Sequence, residues 1–247
     1  MIARLRRTGL VWPTLAAASA LAVLLALGTW QWQRKAWKDD LVQRIVARTV
    51  AEPASIDEAV ALAARSGGDV EYLRVAAEGR FRHDLERYFY APATAGPGWH
   101  VVTPLDLGDG RHVWVNRGFV PEALRDPRKR PDGQVAGPTR IVGLIRRDGP
   151  VDTFTPANDP RRNIWYRRDV AALDASAFPP TNPPSVAFLL EADATPPPGG
   201  WPKGGVTRLA LPNRHLEYAL TWWGLAATLV GVFLAFAWPR WTAGNRA

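Results

Sequence analysis

The chain has 247 residues, 47% hydrophobic and 22% charged, averages of an ordinary globular protein that conceal two apolar stretches near its ends. Its formal charge of +8 invites a nucleic-acid reading, but 26 of the 31 basic and 22 of the 23 acidic residues fall between positions 34 and 214. Half of the excess therefore sits in short tails beside apolar runs, a pattern of contact with anionic lipid rather than with nucleic acid. The absence of cysteine excludes disulfides, thiol redox chemistry, Cys-ligated metals and a Cys nucleophile, and it fits an oxidising compartment such as the periplasm.

Residues 10–32 form the first apolar run, 23 residues without a charge. As a helix they reach about 35 Å, enough to cross a hydrocarbon core of about 30 Å. Arg4, Arg6 and Arg7 with Ala18-Ser19-Ala20 could be read as a cleavable signal, but the run continues past Ala20, so a retained anchor is expected. Residues 34–50 continue as a helix, and Ser55-Ile56-Asp57-Glu58 is a capping box that opens a short second helix ending at Gly67-Gly68.

From there the pattern turns to strands, with period-two or β-rich character over 72–81, 86–90, 99–107, 112–119, 141–146 and 186–192. Leu107-Gly108-Asp109-Gly110-Arg111 is a hairpin turn whose centre pairs His112 with Asp106. A helix is expected over 169–175, loops over 126–138 and 178–184, and a Pro- and Gly-rich linker over 195–205. The second apolar run, 216–238, contains only Glu217 as a charge and ends in Trp238-Pro239-Arg240-Trp241, a sequence suited to a membrane interface.

The expected fold class is two transmembrane α-helices flanking a mainly antiparallel, β-rich α+β extracytoplasmic domain with short helices. Its expected divisions are a cytoplasmic tail 1–9, a span 10–32, a periplasmic domain 33–214, a span 215–238 and a cytoplasmic tail 239–247. Arg4, Arg6 and Arg7 favour an N-terminus inside, against a near-equal count from Arg34, Lys35 and Lys38 at the other end of the span.

None of the four histidines, His83, His100, His112 and His215, has a partner at metal-site spacing, and no GxSxG or phosphate loop is present. With one Met and no Cys, soft copper ligands are lacking. Trp99, Trp114, Arg117 and Trp165 are either core residues of the β domain or anchors of a docking surface. His215 falls at the edge of the second run, near the outer ends of Trp30 and Trp32, and on a helix it shares one face with Ala219, Trp222 and Ala226. Small residues there admit a flat group or another helix. A neutral imidazole at this depth suits an axial haem ligand, and equally an interfacial histidine without one.

Several blocks resemble the Surfeit locus protein 1 family of cytochrome c oxidase assembly factors. They are Leu27-Gly28-Thr29-Trp30-Gln31-Trp32-Gln33-Arg34, Gly79-Arg80-Phe81, Gly98-Trp99-His100-Val101-Val102-Thr103-Pro104-Leu105, Val115-Asn116-Arg117-Gly118-Phe119-Val120-Pro121, Asn158-Asp159-Pro160 with Trp165-Tyr166, and Asn213-Arg214-His215-Leu216-Glu217-Tyr218-Ala219-Leu220-Thr221-Trp222. Phe119 stands where many relatives of that family carry Trp. The resemblance implies a non-enzymatic, two-span protein that helps mature the catalytic subunit 1 of a haem–copper (aa3-type) cytochrome c oxidase. It implies transient binding of haem a, received from haem a synthase, with His215 on the iron. Trp30 and Arg34 would contribute to the site, with Tyr218 and Trp222 from the same C-terminal block completing the candidate set. The nine residues before the first run are too few for a transit peptide, so a bacterial cytoplasmic (inner) membrane is expected, with the domain in the periplasm, membrane lipid as a partner and nucleic acid excluded.

Overall fold

The computed structural model describes residues 9–92, 96–151, 153–180, 185–207 and 213–243. Arg4, Arg6, Arg7 and Arg246, and the 181–184 part of the expected loop 178–184, lie outside the described residues. The chain divides into two compact units, residues 1–44 with 210–247, and residues 45–209.

Two helices dominate the first unit. Helix α1, Val11–Val50, runs unbroken for 40 residues, so the expected span and the helix after it are one element. The second helix of this unit, His215–Ala243, is the last element of the chain. Both are long and apolar enough to cross a membrane, and their apolar windows are only 6% and 11% buried, unlike the core helix of a soluble protein. The chain is membrane-anchored on that ground.

The second unit is a closed β structure. Its elements are β1 (Ala54–Ser55), α2 (Ile56–Arg65), β2 (Arg74–Phe81), β3 (Arg87–Tyr90), β4 (Gly98–Asp106), β5 (His112–Pro121), β6 (Pro138–Arg146), α3 (Val170–Ala177) and β7 (Leu189–Ala192); the C-terminal helix is α4. The strand order is β1-β2-β6-β7-β5-β4-β3, and β2 also pairs β4 through Arg80↔Asp106 and Phe81↔Leu105. That pairing closes β2, β6, β7, β5 and β4 into a five-stranded barrel and removes the open edges a flat sheet would present. Five of the seven pairings are antiparallel; β1–β2 and β5–β7 are parallel.

Period-two alternation fills the barrel. Val75, Ala77, Leu105, Val113, Val115, Ile145 and Leu190 form one buried cluster, and Ile56 and Ala59 of α2 join it. The capping box sets where α2 begins: Ser55 Oγ accepts from the Glu58 amide at 3.2 Å, and Glu58 Oε2 accepts from the Ser55 amide at 2.7 Å. On the other face of β5, Trp114 packs with Phe89, Trp165, Val170 and Leu173, which bring α3 down onto the barrel. Trp99, Arg117, Trp114 and Trp165 are 6%, 6%, 0% and 0% exposed, which places all four in the core and withdraws them as surface anchors.

The hairpin turn forms as expected, with Asp106↔His112 opposite and Gly108 and Gly110 at φ +83° and +87°. Three expectations need correction. The 126–138 stretch is not an irregular loop: Pro127–Lys129 and Pro131–Gly133 wind into 3₁₀ turns, because Asp126 caps the first and Arg130 is drawn inward. The 195–205 stretch is packed rather than a free linker: Phe119 and Lys203 exchange backbone hydrogen bonds at 2.8 and 2.9 Å. Only Leu189–Ala192 of the expected 186–192 strand pairs, since Val186 and Phe188 instead turn into the barrel cluster.

Candidate functional site

The two long helices meet along a seam that the sequence spacing dictates. On α1 the shielded positions include Leu21, Leu24, Gly28, Gln31, Lys35 and Lys38, repeating every three or four residues; on α4 they include His215, Ala219, Trp222, Ala226, Leu229 and Phe233. Ala219 and Ala226 are 0% and 3% exposed, the closest-packed side chains of α4. A Cβ on Gly28 would stand 2.3 Å from Trp223 Nε1, so only glycine lets that indole lie against α1. Trp32 follows it with a tilted ring contact to Trp223, 6.0 Å between centroids.

At one end of the seam the contacts become polar. His215, the first residue of α4, lies half-buried with Nδ1 2.7 Å from Gln31 Oε1. A carbonyl oxygen only accepts, so Nδ1 is the donor to Gln31, and in the neutral ring this leaves the lone pair on Nε2. Asn213 holds the turn before it: its Oδ1 accepts from the His215 amide at 3.3 Å, and its Nδ2 donates to Asp39 Oδ1 at 2.8 Å. Lys35 pairs with the same Asp39 at 2.5 Å, one helical turn apart. The imidazole is therefore held by α1, and the turn that carries it is tied to the same helix.

The candidate residues named from the sequence are only partly brought together. His215 and Trp222 share the seam face. Trp30 and Tyr218, each 54% exposed, flank the seam on the outside, Trp30 one residue from Gln31 and Tyr218 one turn from His215. Arg34 is exposed and stacks over the Trp37 ring at 4.0 Å. Gln31 and Asn213 are the neighbours of His215 that sequence reasoning passed over. A glutamine at a seam position inside an uncharged run was the available signal for the first, since a buried amide needs a partner.

Among the described residues, no three His, Cys, Asp or Glu side chains gather as a metal cluster. One grouping in the barrel unit has the composition of a hydrolase triad but the wrong order. Asp174 lies between His112 Nε2, at 3.0 Å, and the Ser185 hydroxyl, at 2.7 Å, and also accepts from Trp114 Nε1 at 2.7 Å. With the carboxylate in the middle, the serine has no base to lose its proton to, and the group ties α3 to β5.

Glu86, Arg117 and Arg130 form a buried ion group, 5%, 6% and 4% exposed. Arg130 grips both Glu86 oxygens at 2.5 and 3.2 Å, Arg117 Nη1 reaches Oε1 at 3.1 Å, and Tyr88 donates to Oε2 at 3.1 Å. Burial alone would raise the Glu86 carboxyl, but the hydrogen bonds from His83 and Arg130 and the charges of both arginines hold it at about 2. A depressed carboxyl adds stability that is complete above its ordinary 4.5 and lost as pH falls toward 2. Asp174, held at about 2 against its burial by His112, Trp114 and Ser185, acts in the same direction from its ordinary 3.8. The thermal midpoint of the barrel should therefore fall through this acid window; a midpoint flat from pH 5 to 2 would contradict the assignment.

A closed β barrel between two helices of membrane-crossing length defines a membrane-anchored barrel protein, with its oriented histidine at the start of the second helix. A model of the SURF1 family matches residues 18–227. The SURF1-like protein of Monosiga brevicollis is 37% identical over 257 residues, covering 98% of this chain and 92% of that protein. Surfeit locus protein 1 of Mus musculus is 36% identical over 223 residues, and that of Homo sapiens 34% over 219; they cover 83% and 81% of this chain and 69% of each relative. The chain belongs to the SURF1 family.

Proposed function

We propose that this protein is an assembly factor for aa3-type haem–copper cytochrome c oxidase, holding haem a through His215 and assisting its insertion into subunit 1. SURF1-family membership supports the assembly role. The observation that supports the haem role is the 2.7 Å contact of His215 Nδ1 with Gln31 Oε1. Donation from Nδ1 to Gln31 is compatible with the neutral tautomer whose Nε2 can ligate iron, and metal-bound histidines are oriented in this way by the partner of their other nitrogen.

The residues fit such a group. A porphyrin brings four nitrogens of its own and asks the protein for an axial ligand, so a lone, oriented imidazole suffices where a bare ion would need a cluster. The exposed Trp30 and Tyr218, which flank the seam, can cover a flat ring. Arg34 offers a cation to an anionic edge. Bound haem a would supply the redox chemistry of the oxidase once delivered; the protein's own part is to ligate, orient and release. A single protein ligand at an accessible site favours release over retention.

In this reading the barrel is periplasmic, the membrane is a bacterial cytoplasmic one, haem a synthase is the donor and subunit 1 the recipient. Replacing Gln31 by Leu tests the orienting contact. Haem a affinity of the detergent-purified protein should fall about 10- to 100-fold while α4 stays helical. Unchanged affinity would remove Gln31 from the site.

A further inference from the structure

One stretch of the barrel wall has a neighbour on one side only, and it is independent of His215 and of haem. β7 pairs β6 over 143–146, whereas 138–142 of β6 pairs β2 and, among the described residues, has no strand on its other side. There lies a cavity of about 400 Å³, between 139–142 and the 195–198 segment, with Phe81, Ile141 and Pro202 among its apolar walls.

The register shows which main-chain groups face this cavity. In an antiparallel ladder successive residues send their N–H and C=O to alternate sides. Ile145 exchanges 2.9 Å hydrogen bonds with Tyr72 and Leu73 on the β2 side, so odd-numbered residues of β6 face β2 and even-numbered ones face away. The Val142 carbonyl follows that parity by accepting from the Asp193 amide at 2.9 Å. The Val142 N–H and both the C=O and N–H of Arg140 therefore face the cavity, and among the described residues none of the three has a hydrogen-bond partner.

A row of donor, acceptor and donor along one edge is what an extended backbone complements, and an open edge of this kind is a template for strand pairing. A small apolar molecule would leave the three groups unmet. The charges on the wall select neither sign. Arg117 is already held by His83, Glu86 and the Gly133 carbonyl, and Arg140 pairs with Glu78 at 3.6 Å. Asp193 remains as an acid against an anionic occupant, and the buried Arg117 stands against a cationic one.

We propose that this cavity docks an extended, uncharged polypeptide segment of a partner protein, laid beside β6 as an added strand. Its main chain pairs with Arg140 and Val142, and its inward apolar side chains rest on Phe81 and Ile141. The free edge is about 10 Å long, room for about three residues.

The test uses the full chain in non-ionic detergent, with a capped pentapeptide of alternating Val and Thr as probe and ligand-observed NMR as readout. Saturable binding is expected, weakened at least about tenfold when two successive central residues are N-methylated, which removes a donor from each edge of the peptide. Hydrogen exchange should show the 140 and 142 amides slowed by the peptide. Arg140→Pro deletes one cavity-facing N–H and no bond to β2, a position where a strand accepts proline, so it should keep the fold and lose binding at least about tenfold. Arg140→Ala, which changes only the exposed side chain, should bind as the wild type does. No saturation by roughly 10 mM, equal binding of the N-methylated peptide, or full binding by folded Arg140→Pro would overturn the proposal. Should Arg140→Pro fail to fold, the N-methylated peptide on the wild-type chain decides.

Discussion

Replacing Glu86 by Gln should cost about 3–5 kcal/mol, a large share of the 5–15 kcal/mol by which a domain is stable. The side chain keeps its shape, so the loss reports the charge. Without it, Arg117 and Arg130, 6% and 4% exposed, face each other with no counter-ion. Both are also structural ties: Arg130 Nε donates to the Leu124 carbonyl at 3.0 Å and Arg117 Nη2 to that of Gly133. The 122–135 segment therefore hangs on this group, and its release should accompany the loss. Chemical denaturation at pH 7 gives the number, and the variant should lose the acid sensitivity that Glu86 confers between 4.5 and 2. A cost below about 1 kcal/mol would mean that water reaches the arginines, as at a surface pair.

The second large effect is expected at Gly118. Its φ of +118° is strained for any residue with a Cβ, and a Cβ there would stand 1.9 Å from the Lys203 carbonyl oxygen, a backbone atom that can yield only by moving the segment. Gly110, at φ +87° with nothing within 4 Å of its Cβ position, separates the two causes. Gly110→Ala should cost about 1–2 kcal/mol, the conformational part alone. Gly118→Ala should cost at least about 2 kcal/mol more, because it also breaks the Phe119–Lys203 hydrogen bonds and lifts Trp201 from the cluster of Trp99, Val101 and Val120. Thermal melts of the two variants side by side, with tryptophan emission for the exposure of Trp201, measure both. Equal shifts would show that the 201–205 segment adjusts without cost.

Much of this fold was legible in local pattern. The apolar runs, the Ser55 capping box and the hairpin centred on Asp109 each carry their instruction within a few residues, and each formed where expected. Closure of the barrel did not announce itself, because Arg80↔Asp106 and Phe81↔Leu105 join strands that are ordinary in isolation. The 126–138 stretch reads as a solvated loop by composition; Arg130 becomes a core residue only once Glu86, 44 positions away, supplies its partner. The Pro- and Gly-rich segment misled for the same reason, since its packing depends on the space that Gly118 leaves across the sheet.

The candidate site was legible in outline. The 3–4 spacing of His215, Ala219, Trp222 and Ala226 gave the buried face of α4 correctly. The spacing could not reveal that Gln31, rather than Trp30 or Arg34, reaches the imidazole, because that pairing depends on how two helices 184 residues apart in sequence are set against each other. Asn213 was hidden for a related reason: it both turns the chain into α4 and binds Asp39 on α1.

The most direct test of the haem reading is the pyridine-haemochrome content and optical spectrum of the detergent-purified full chain, co-expressed with a supply of haem a, wild type beside His215→Ala. The account predicts haem a in the wild type and little in the variant, with both equally folded, since a half-buried histidine at a helix start contributes little packing. Equal haem in the two proteins, or none in either, would contradict ligation by His215; none in either would leave the barrel as the working part of an assembly scaffold.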